Sequence, residues 1–288
     1  MTDEATAFVP GHVTGFFSAH PAEDPAAAGS RGAGITLSHG VDVCVRRGDE
    51  DDARDESEPT VTLDGDPVEI DAVDAVLRAL DATDVVVAAE TPLPLGAGFG
   101  VSGALALGTA YAANAVCDAR RTENALVGLA HRAEVEAGTG LGDVVAQARG
   151  GLPIRLDPGD PEHGRLDGVP ASPRVEYVTF GSVSTEAVLS GDTRRLTAAG
   201  ERALTDLREE PTTERFVALS RRFAREADLL TDRVAEAVAD VRAAGGDAAM
   251  AMLGDTVFAF GDDLSAAGYD PGVCSVHAAG ATLRSPSD

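Results

Sequence analysis

The chain contains no lysine, since all 23 basic residues among its 288 are arginine. This absence excludes mechanisms that need a lysine side chain, namely the P-loop and protein-kinase phosphate sites and Schiff-base catalysis. Tryptophan is absent as well, and the three cysteines, Cys44, Cys117 and Cys274, form neither a CxxC pair nor a disulfide framework. We therefore expect unpaired, buried thiols in a reducing, cytoplasmic compartment.

Positive charge is also scarce, because 48 Asp and Glu leave a formal net charge of −25. Such a surface disfavours nonspecific binding of nucleic acid and attraction to anionic lipid. An acidic surplus without lysine or tryptophan predicts a protein adapted to molar salt, in which carboxylates stay hydrated and their repulsion is screened. The 44% hydrophobic content argues against an acidic disordered chain, and a length of 288 residues is enough to bury a core in two domains.

No stretch of the chain suits a secretion signal or a membrane helix. The N-terminal MTDEATAF is acidic and lacks the apolar segment of a signal. Residues 91–117 are uncharged, but they are too rich in Gly, Pro, Ser, Thr and Asn to span a bilayer. We expect a cytoplasmic protein with neither a nucleic-acid nor a membrane partner, and the sequence leaves its oligomeric state open, a homodimer included.

The segment from 84 to 116 is the most informative part of the chain. DVVVAA at 84–89 predicts a buried strand that Pro92 and Pro94 end, and a helix is predicted over 103–116 with Ser102 at its start. The glycines between them permit positive φ angles and close backbone approach. Unpaired N–H groups at such a helix start attract an anion. A tight turn without a ligand is the alternative, and the dinucleotide fingerprint does not fit, because no acidic residue follows about 20 residues on.

A second group of polar residues lies at 131–151, HRAEVEAGTGLGDVVAQARGG. On a helix His131 and Glu134 share a face from which Glu136 points away. The glycine-rich break at 138–140 then presents Asp143 at the start of the next helix. From these residues alone, a purely structural role is as well supported as a functional one for both carboxylates. Asp143 would then be a helix cap, and Glu134 an exposed charge on its helix.

Strands and helices mix in both halves of the chain, which predicts an α+β protein of two domains. Strands are predicted at 35–46, 61–70, 84–89, 152–156, 174–180, 248–253, 256–260 and 273–277. Helices are predicted at 71–80, 103–116, 122–137 and 141–148, with a helical hairpin region over 185–244. The stretch 157–173 is rich in Pro, Gly and Asp, so we predict domains of 1–165 and 166–288.

The loop PLPLGAGFGVSGALAL resembles the ATP-binding loop of the GHMP kinases, with GFGVSGA in place of the usual GLGSSAA. The opening AFVPGHVTGFFSAH and the later GSRGAGITL narrow the resemblance to the archaeal pantoate kinases of that family. It implies an N-terminal domain with a left-handed β-α-β unit, a ferredoxin-like C-terminal domain, and ATP in the cleft between them. The resemblance implies ATP contacts from Pro94, Gly96, Gly98, Gly100, Val101, Ser102 and Gly103.

The same resemblance implies roles in the second group. Ser102 and Glu134 would hold Mg²⁺, and Asp143 would orient or deprotonate the hydroxyl of the acceptor, pantoate. Acceptor contacts are implied for Ser30, Arg31, His131, Arg155 and Thr185. An arginine offers a bidentate fork to a carboxylate, whereas a surface ion pair is the alternative role for either arginine. His12 is ambiguous, because a histidine near a turn is often only a structural donor.

An ATP-dependent kinase of pantoate is thus the function that the resemblance implies. Two other hypotheses stay open: a GHMP kinase for another small hydroxy acid or alcohol such as shikimate, homoserine or mevalonate, and a non-catalytic relative that senses a nucleotide or metabolite. The joint presence of Ser102, Glu134 and Asp143 disfavours the sensor. The third glycine-rich motif of the family is altered here to GGDAAMAMLGDTVFAF, where only Gly254 is assigned a role, in a turn.

Overall fold

The computed structural model describes residues 2–48, 60–82, 84–182 and 191–284. Most of the acidic run at 48–59, for which the sequence predicts a solvated hairpin loop, lies outside these ranges. Within the described ranges, no helix is long and apolar enough to cross a membrane. The three cysteines are free and half-buried.

The elements follow one another in two groups along the chain. The first contains β1 (Glu4–His20), β2 (Gly29–Arg47), β3 (Thr60–Leu63), β4 (Asp66–Pro67), α1 (Asp71–Ala79), β5 (Val85–Glu90), α2 (Val101–Val116), α3 (Glu123–Ala137), α4 (Asp143–Arg149), β6 (Leu152–Asp157) and β7 (Arg165–Val169). The second contains β8 (Arg174–Ser182), α5 (Arg194–Glu209), α6 (Thr213–Glu226), α7 (Asp232–Ala243), β9 (Ala248–Ala251), β10 (Gly254–Phe260), α8 (Asp263–Ala266), β11 (Gly272–Ser275) and β12 (Thr282–Leu283).

The hairpin of β1 and β2 is the centre of the first sheet, whose order is β12-β1-β2-β5-β3-β4, with β6 paired to β2 and β7 to β6. Helix α2 packs across β1 and β2 with most of its residues buried, because its small side chains allow a close approach. A Cβ at Gly108 would lie 2.5 Å from Val43 Cγ2, so this contact requires glycine. The β-α-β unit that the resemblance implies is the parallel pair β3 and β5, joined through α1.

The second sheet has the order β11-β8-β10-β9 and is antiparallel throughout. Helices α5 to α7 lie between β8 and β9 in the chain, and α8 lies between β10 and β11. This β-α-β-β-α-β order confirms the ferredoxin-like C-terminal domain. Phe216 of α6 packs on Phe258 and Phe260 of β10, which joins the helices to the sheet.

The chain crosses from one sheet to the other twice, and we call these two connections the passages. It leaves the first sheet after β7, and after β11 it returns so that β12 pairs with β1. The two passages lie side by side, since Val276 N donates to Pro173 O at 3.0 Å and Ser172 Oγ donates to Val276 O at 3.0 Å. The boundary predicted after residue 165 falls at the start of β7, a strand of the first sheet, and the division into 1–165 and 166–288 stays a prediction.

Some local predictions differ from the structure for identifiable reasons. The single strand predicted over 61–70 is wrong, because Asp64 (φ 53°) and Gly65 (φ 86°) form a turn between β3 and β4. Strand β1 has no counterpart among the predicted strands, because its Pro10, Gly11 and Gly15 weaken the strand pattern. Pro10 and Gly11 directly precede His12, a residue of the candidate active site.

Candidate active site

The glycine-rich loop ends β5 and begins α2 through backbone conformations that favour glycine. Gly96, Gly98 and Gly100 have φ angles of 76°, 89° and 62°. Gly100 is the residue that precedes α2, so the helix begins at Val101 and not at the predicted residue 103. The first turn of α2 contains no acidic residue, and its N–H groups are free of intrahelical partners. This helix end is therefore suited to an anion.

A cavity of about 340 Å³ lies over this loop, and we call it the loop cavity. Its lining residues are Thr14, Ile70, Leu95, Gly96, Gly98, Phe99, Gly100, Val101, Ser102, Thr139, Asp143, Met252 and Leu253. Of the residues predicted to contact ATP, Pro94 and Gly103 are outside this lining. A Cβ at Gly103 would lie 3.2 Å from Gln147 Oε1, which is a tight contact, so a glycine suits this close approach of α2 and α4.

Ser102 and Glu134 meet at one edge of the loop cavity. Ser102 Oγ donates to Glu134 Oε2 at 3.1 Å, and Thr139 Oγ1 donates to Glu134 Oε1 at 2.9 Å. Glu134 is only 2% exposed, so it is not an exposed charge on its helix. Burial raises the pKa of Glu134 to about 7, although both hydroxyl groups oppose that rise. A cation at this carboxylate would remove the cost of its burial.

Asp143, the first residue of α4, lies beside the strand β1. His12 Nδ1 is 2.6 Å from Asp143 Oδ1, and Thr14 Oγ1 donates to the same oxygen at 3.4 Å. His12 is fully buried, while 23% of the Asp143 side chain is exposed. The sequence left His12 ambiguous, because its partner lies far away in the chain.

The charges of this pair follow from its surroundings. Burial lowers the pKa of His12, so the imidazole is neutral near pH 7 and Nδ1–H donates to the carboxylate. Burial alone would raise the pKa of Asp143, but the hydrogen bond from His12 and the charge of Arg155 hold it below its ordinary value. Asp143 is therefore an ionised carboxylate with a fixed orientation.

A smaller cavity of about 20 Å³, the inner cavity, lies on the other side of Asp143. It is lined by Thr14, Phe17, Ser30, Gly140, Leu141, Gly142, Asp143, Arg155 and Leu253. This volume holds one or two water molecules, so a small acid must displace wall side chains or extend toward the loop cavity.

Arg155 of β6 is the cation of the inner cavity. It is 2% exposed, and its Nε and Nη1 have no hydrogen-bond partner among the described residues. A Cβ at Gly142 would lie 2.7 Å from Arg155 Nε and 2.7 Å from Ser30 Oγ, so the glycine brings these groups together. A buried guanidinium with free donors is unfavourable unless an anion binds it.

The other residues predicted to bind the acceptor lie elsewhere. Arg31 Nη1 donates to Glu201 Oε2 at 2.7 Å and Nε to Leu156 O at 2.7 Å, outside both cavities. His131 is buried, and its ring Nε2 is 2.9 Å from Ala28 O. Thr185 lies outside the described residues. Acceptor roles for these three residues stay predictions.

A wider depression of about 470 Å³ lies at Asp42, Asp64 and Glu90, and its lining shares no residue with the loop cavity or the inner cavity. Asp42 is paired with Arg284 at 2.8 Å, and burial raises its pKa. A wall of carboxylates repels phosphates and small acids. The loop cavity and the inner cavity therefore remain the candidate site.

Comparison with known proteins identifies similar chains. Residues 69–151 match the family described as GHMP kinases N terminal domain. The pantoate kinase of Methanocaldococcus jannaschii is 32% identical over 283 residues, covering 94% of this chain and 99% of the relative. The pantoate kinase of Thermococcus kodakarensis is 34% identical over 270 residues, covering 90% of this chain and 88% of the relative.

Solved structures are similar over almost the whole chain. One described as a phosphotransferase related to the CoA biosynthesis pathway has a TM-score of 0.86 at 30% identity and covers 98% of both chains. A homoserine kinase from Cytophaga hutchinsonii has a TM-score of 0.69 at 16% identity, covering 99% of this chain and 98% of that one. At 16% identity, the similarity to the homoserine kinase shows a shared fold alone.

Proposed function

The chain belongs to the pantoate kinase family of the GHMP kinases, and on that premise we propose that it transfers the γ-phosphoryl group of ATP to the terminal hydroxyl of (R)-pantoate. The product is (R)-4-phosphopantoate, a precursor of coenzyme A. The observation that carries this proposal is the position of Asp143, which lines both cavities and so stands between two substrates. The enzyme acts in the cytoplasm, and its acidic composition suits it to high salt.

ATP binds in the loop cavity. The free N–H groups at the start of α2 and the backbone of the glycine loop face the phosphates, where an anion is favoured. Neither lysine nor arginine is among the described residues that line the loop cavity, so backbone dipoles are the groups there that attract the phosphates.

Ser102 and Glu134 fit a magnesium ion that accompanies ATP. They supply a hydroxyl and a buried carboxylate, which are hard oxygen donors. In the part of the chain that the structure describes, no cluster of three or more His, Cys, Asp or Glu could hold a metal. An ion held by Ser102 and Glu134 would take its other ligands from phosphate and water, which is the usual arrangement for Mg²⁺. Such an ion neutralises charge on the phosphate oxygens during transfer.

Pantoate binds in the inner cavity with its two ends in opposite environments. Its carboxylate accepts from the guanidinium group of Arg155, which has unpaired donors. Its terminal hydroxyl faces Asp143, whose Oδ1 is occupied by His12 and Thr14, so we assign Oδ2 to the hydroxyl. Asp143 orients the hydroxyl and accepts its proton as the oxygen attacks the γ-phosphorus.

The acceptor is tested by measuring ADP release in high salt with pantoate, shikimate, homoserine and mevalonate. We expect turnover with pantoate and a kcat/KM at least about 10²-fold lower with each of the others, because their shapes and charges leave groups of the inner cavity unpaired. Turnover of another alcohol without turnover of pantoate would reassign the substrate. ATP binding without turnover of any acceptor would identify a sensor.

His12 is tested through the pH dependence of kcat. In His12→Ala, Asp143 loses a donor and its pKa rises, so a larger fraction is protonated on the acidic side. We expect the acidic limb of the kcat profile to move up by about one to two pH units, since a hydrogen bond to a charged group contributes about 1.5–3 kcal/mol. His12→Asn keeps an N–H donor and should restore most of the profile. If both variants melt early but keep the wild-type profile, His12 is only structural.

A further inference from the structure

Leu253 lies at the junction of the two cavities. Among the described residues only Thr14, Asp143 and Leu253 line both of them. Thr14 and Asp143 are polar and already bonded to each other. Leu253 is therefore the apolar side chain that the two cavity linings share.

The backbone of Leu253 adopts a conformation that a leucine rarely has. Its φ is 65°, in the left-handed region that is unfavourable for a residue with a Cβ. The other described non-glycine residues with positive φ are four Asp and one Arg, and Asp tolerates this region because its short side chain can bond locally. A glycine at position 253 would avoid the strain, so the leucine side chain requires an explanation.

The turn that carries Leu253 is fixed from two sides. Met252 N donates to Thr14 O at 2.9 Å, which joins the turn to β1. On the other side, Thr256 Oγ1 donates to Ala97 O at 2.8 Å, and a Cβ at Gly254 would lie 2.0 Å from the same oxygen. A strained conformation persists where its surroundings determine it in this way, and such positions often contact ligands.

The lining of the inner cavity combines charged and apolar side chains. Arg155 and Asp143 are its charged groups, and Phe17 and Leu253 are among its apolar ones. Resting on the proposed function, we propose that Leu253 determines acceptor specificity by packing against the methyl branches beside the reacting hydroxymethyl group. The preferred acceptors are then acids whose terminal CH₂OH is attached to a fully branched carbon, as in pantoate, and not straight-chain hydroxy acids.

The experiment compares pantoate with 2,4-dihydroxybutyrate, which has the same carboxylate and hydroxyl groups but no methyl branches. The wild-type ratio of kcat/KM for the two acids should favour pantoate, and in Leu253→Gly and Leu253→Ala this ratio should fall at least about tenfold. Most of the change should be a lower kcat/KM for pantoate. Leu253→Gly should keep its Tm within about 3 °C of the wild type, because relief of the positive φ offsets the lost burial.

Leu95→Ala is the matched control, because Leu95 lines the loop cavity alone. It should change the KM for ATP and leave the acceptor ratio at the wild-type value. An unchanged ratio in both Leu253 variants, or an equal loss of kcat/KM for both acids, would overturn the proposal. Neither result would affect the proposed function, which fails only if the wild-type protein does not phosphorylate pantoate.

Discussion

Asp143→Asn lowers kcat at least ~10²-fold and leaves the affinity for ATP nearly unchanged. The asparagine can still accept from His12 Nδ1–H through its oxygen, which would turn its NH₂ group toward the acceptor. A donor then stands where the reacting hydroxyl needs an acceptor for its proton. The measurement is steady-state kinetics together with calorimetric binding of ATP.

Asp160→Asn is the matched control for this change. Asp160 is also a buried carboxylate, paired with Arg132 at 3.3 Å and His163 at 2.9 Å, but it lines neither cavity of the site. Its substitution should lower Tm without a comparable loss of kcat. If Asp143→Asn instead retains near-normal kcat, Asp143 only begins α4 and the proposed catalytic role is wrong.

Arg155→Ala raises the KM for pantoate strongly and leaves the KM for ATP nearly fixed, because of the two substrates only pantoate loses its charge partner. A charge-assisted pair of this kind contributes about 1.5–3 kcal/mol, or roughly 10- to 150-fold in binding. Arg155→Lys should recover only part of the loss, since an ammonium group cannot reproduce the planar fork. Kinetics for both substrates, recorded beside thermal melts in high salt, measure the effect.

Arg31→Ala separates the two arginines that the sequence predicts for the carboxylate. Arg31 is already paired with Glu201, so its loss should lower Tm and change the KM for pantoate little. A strong KM effect in Arg31→Ala alone would transfer the carboxylate role to Arg31. An equal rise of both KM values in Arg155→Ala would indicate disturbed cleft geometry and refute the pairing.

The sequence predicts the parts of the site that are local in the chain. The glycines before α2 follow from loop composition. The pair Ser102 and Glu134 is implied by the resemblance and not by spacing in the chain, and the structure brings the two side chains together. The sequence does not show which of the two arginines, Arg31 or Arg155, binds the carboxylate of the acceptor. Ser30 and Arg31 lie on opposite faces of β2, so only the fold shows that Ser30 reaches the inner cavity while Arg31 faces Glu201.

Contacts between segments that are far apart in the chain cannot be predicted from this sequence. The role of His12 depends on Asp143, and the two meet only because β1 lies beside the start of α4. The sequence shows that Gly is replaced in the third motif, but it does not show which residue takes the left-handed conformation. Leu253 is identified by its φ angle and its position between the cavities.

The paired passages between the sheets make their connection a two-stranded ribbon instead of a single tether. Hydrogen bonds between the two passages fix them to each other, so the second sheet is tied to the first by two strands that support one another. The returning strand also holds α4, because Gly151 N donates to His277 O at 2.7 Å and Ala281 N donates to Gln147 O at 3.0 Å. The segment that leaves the second sheet therefore contacts both ends of the path to Asp143: it pairs with the first sheet and it supports the C-terminal part of the helix that Asp143 begins.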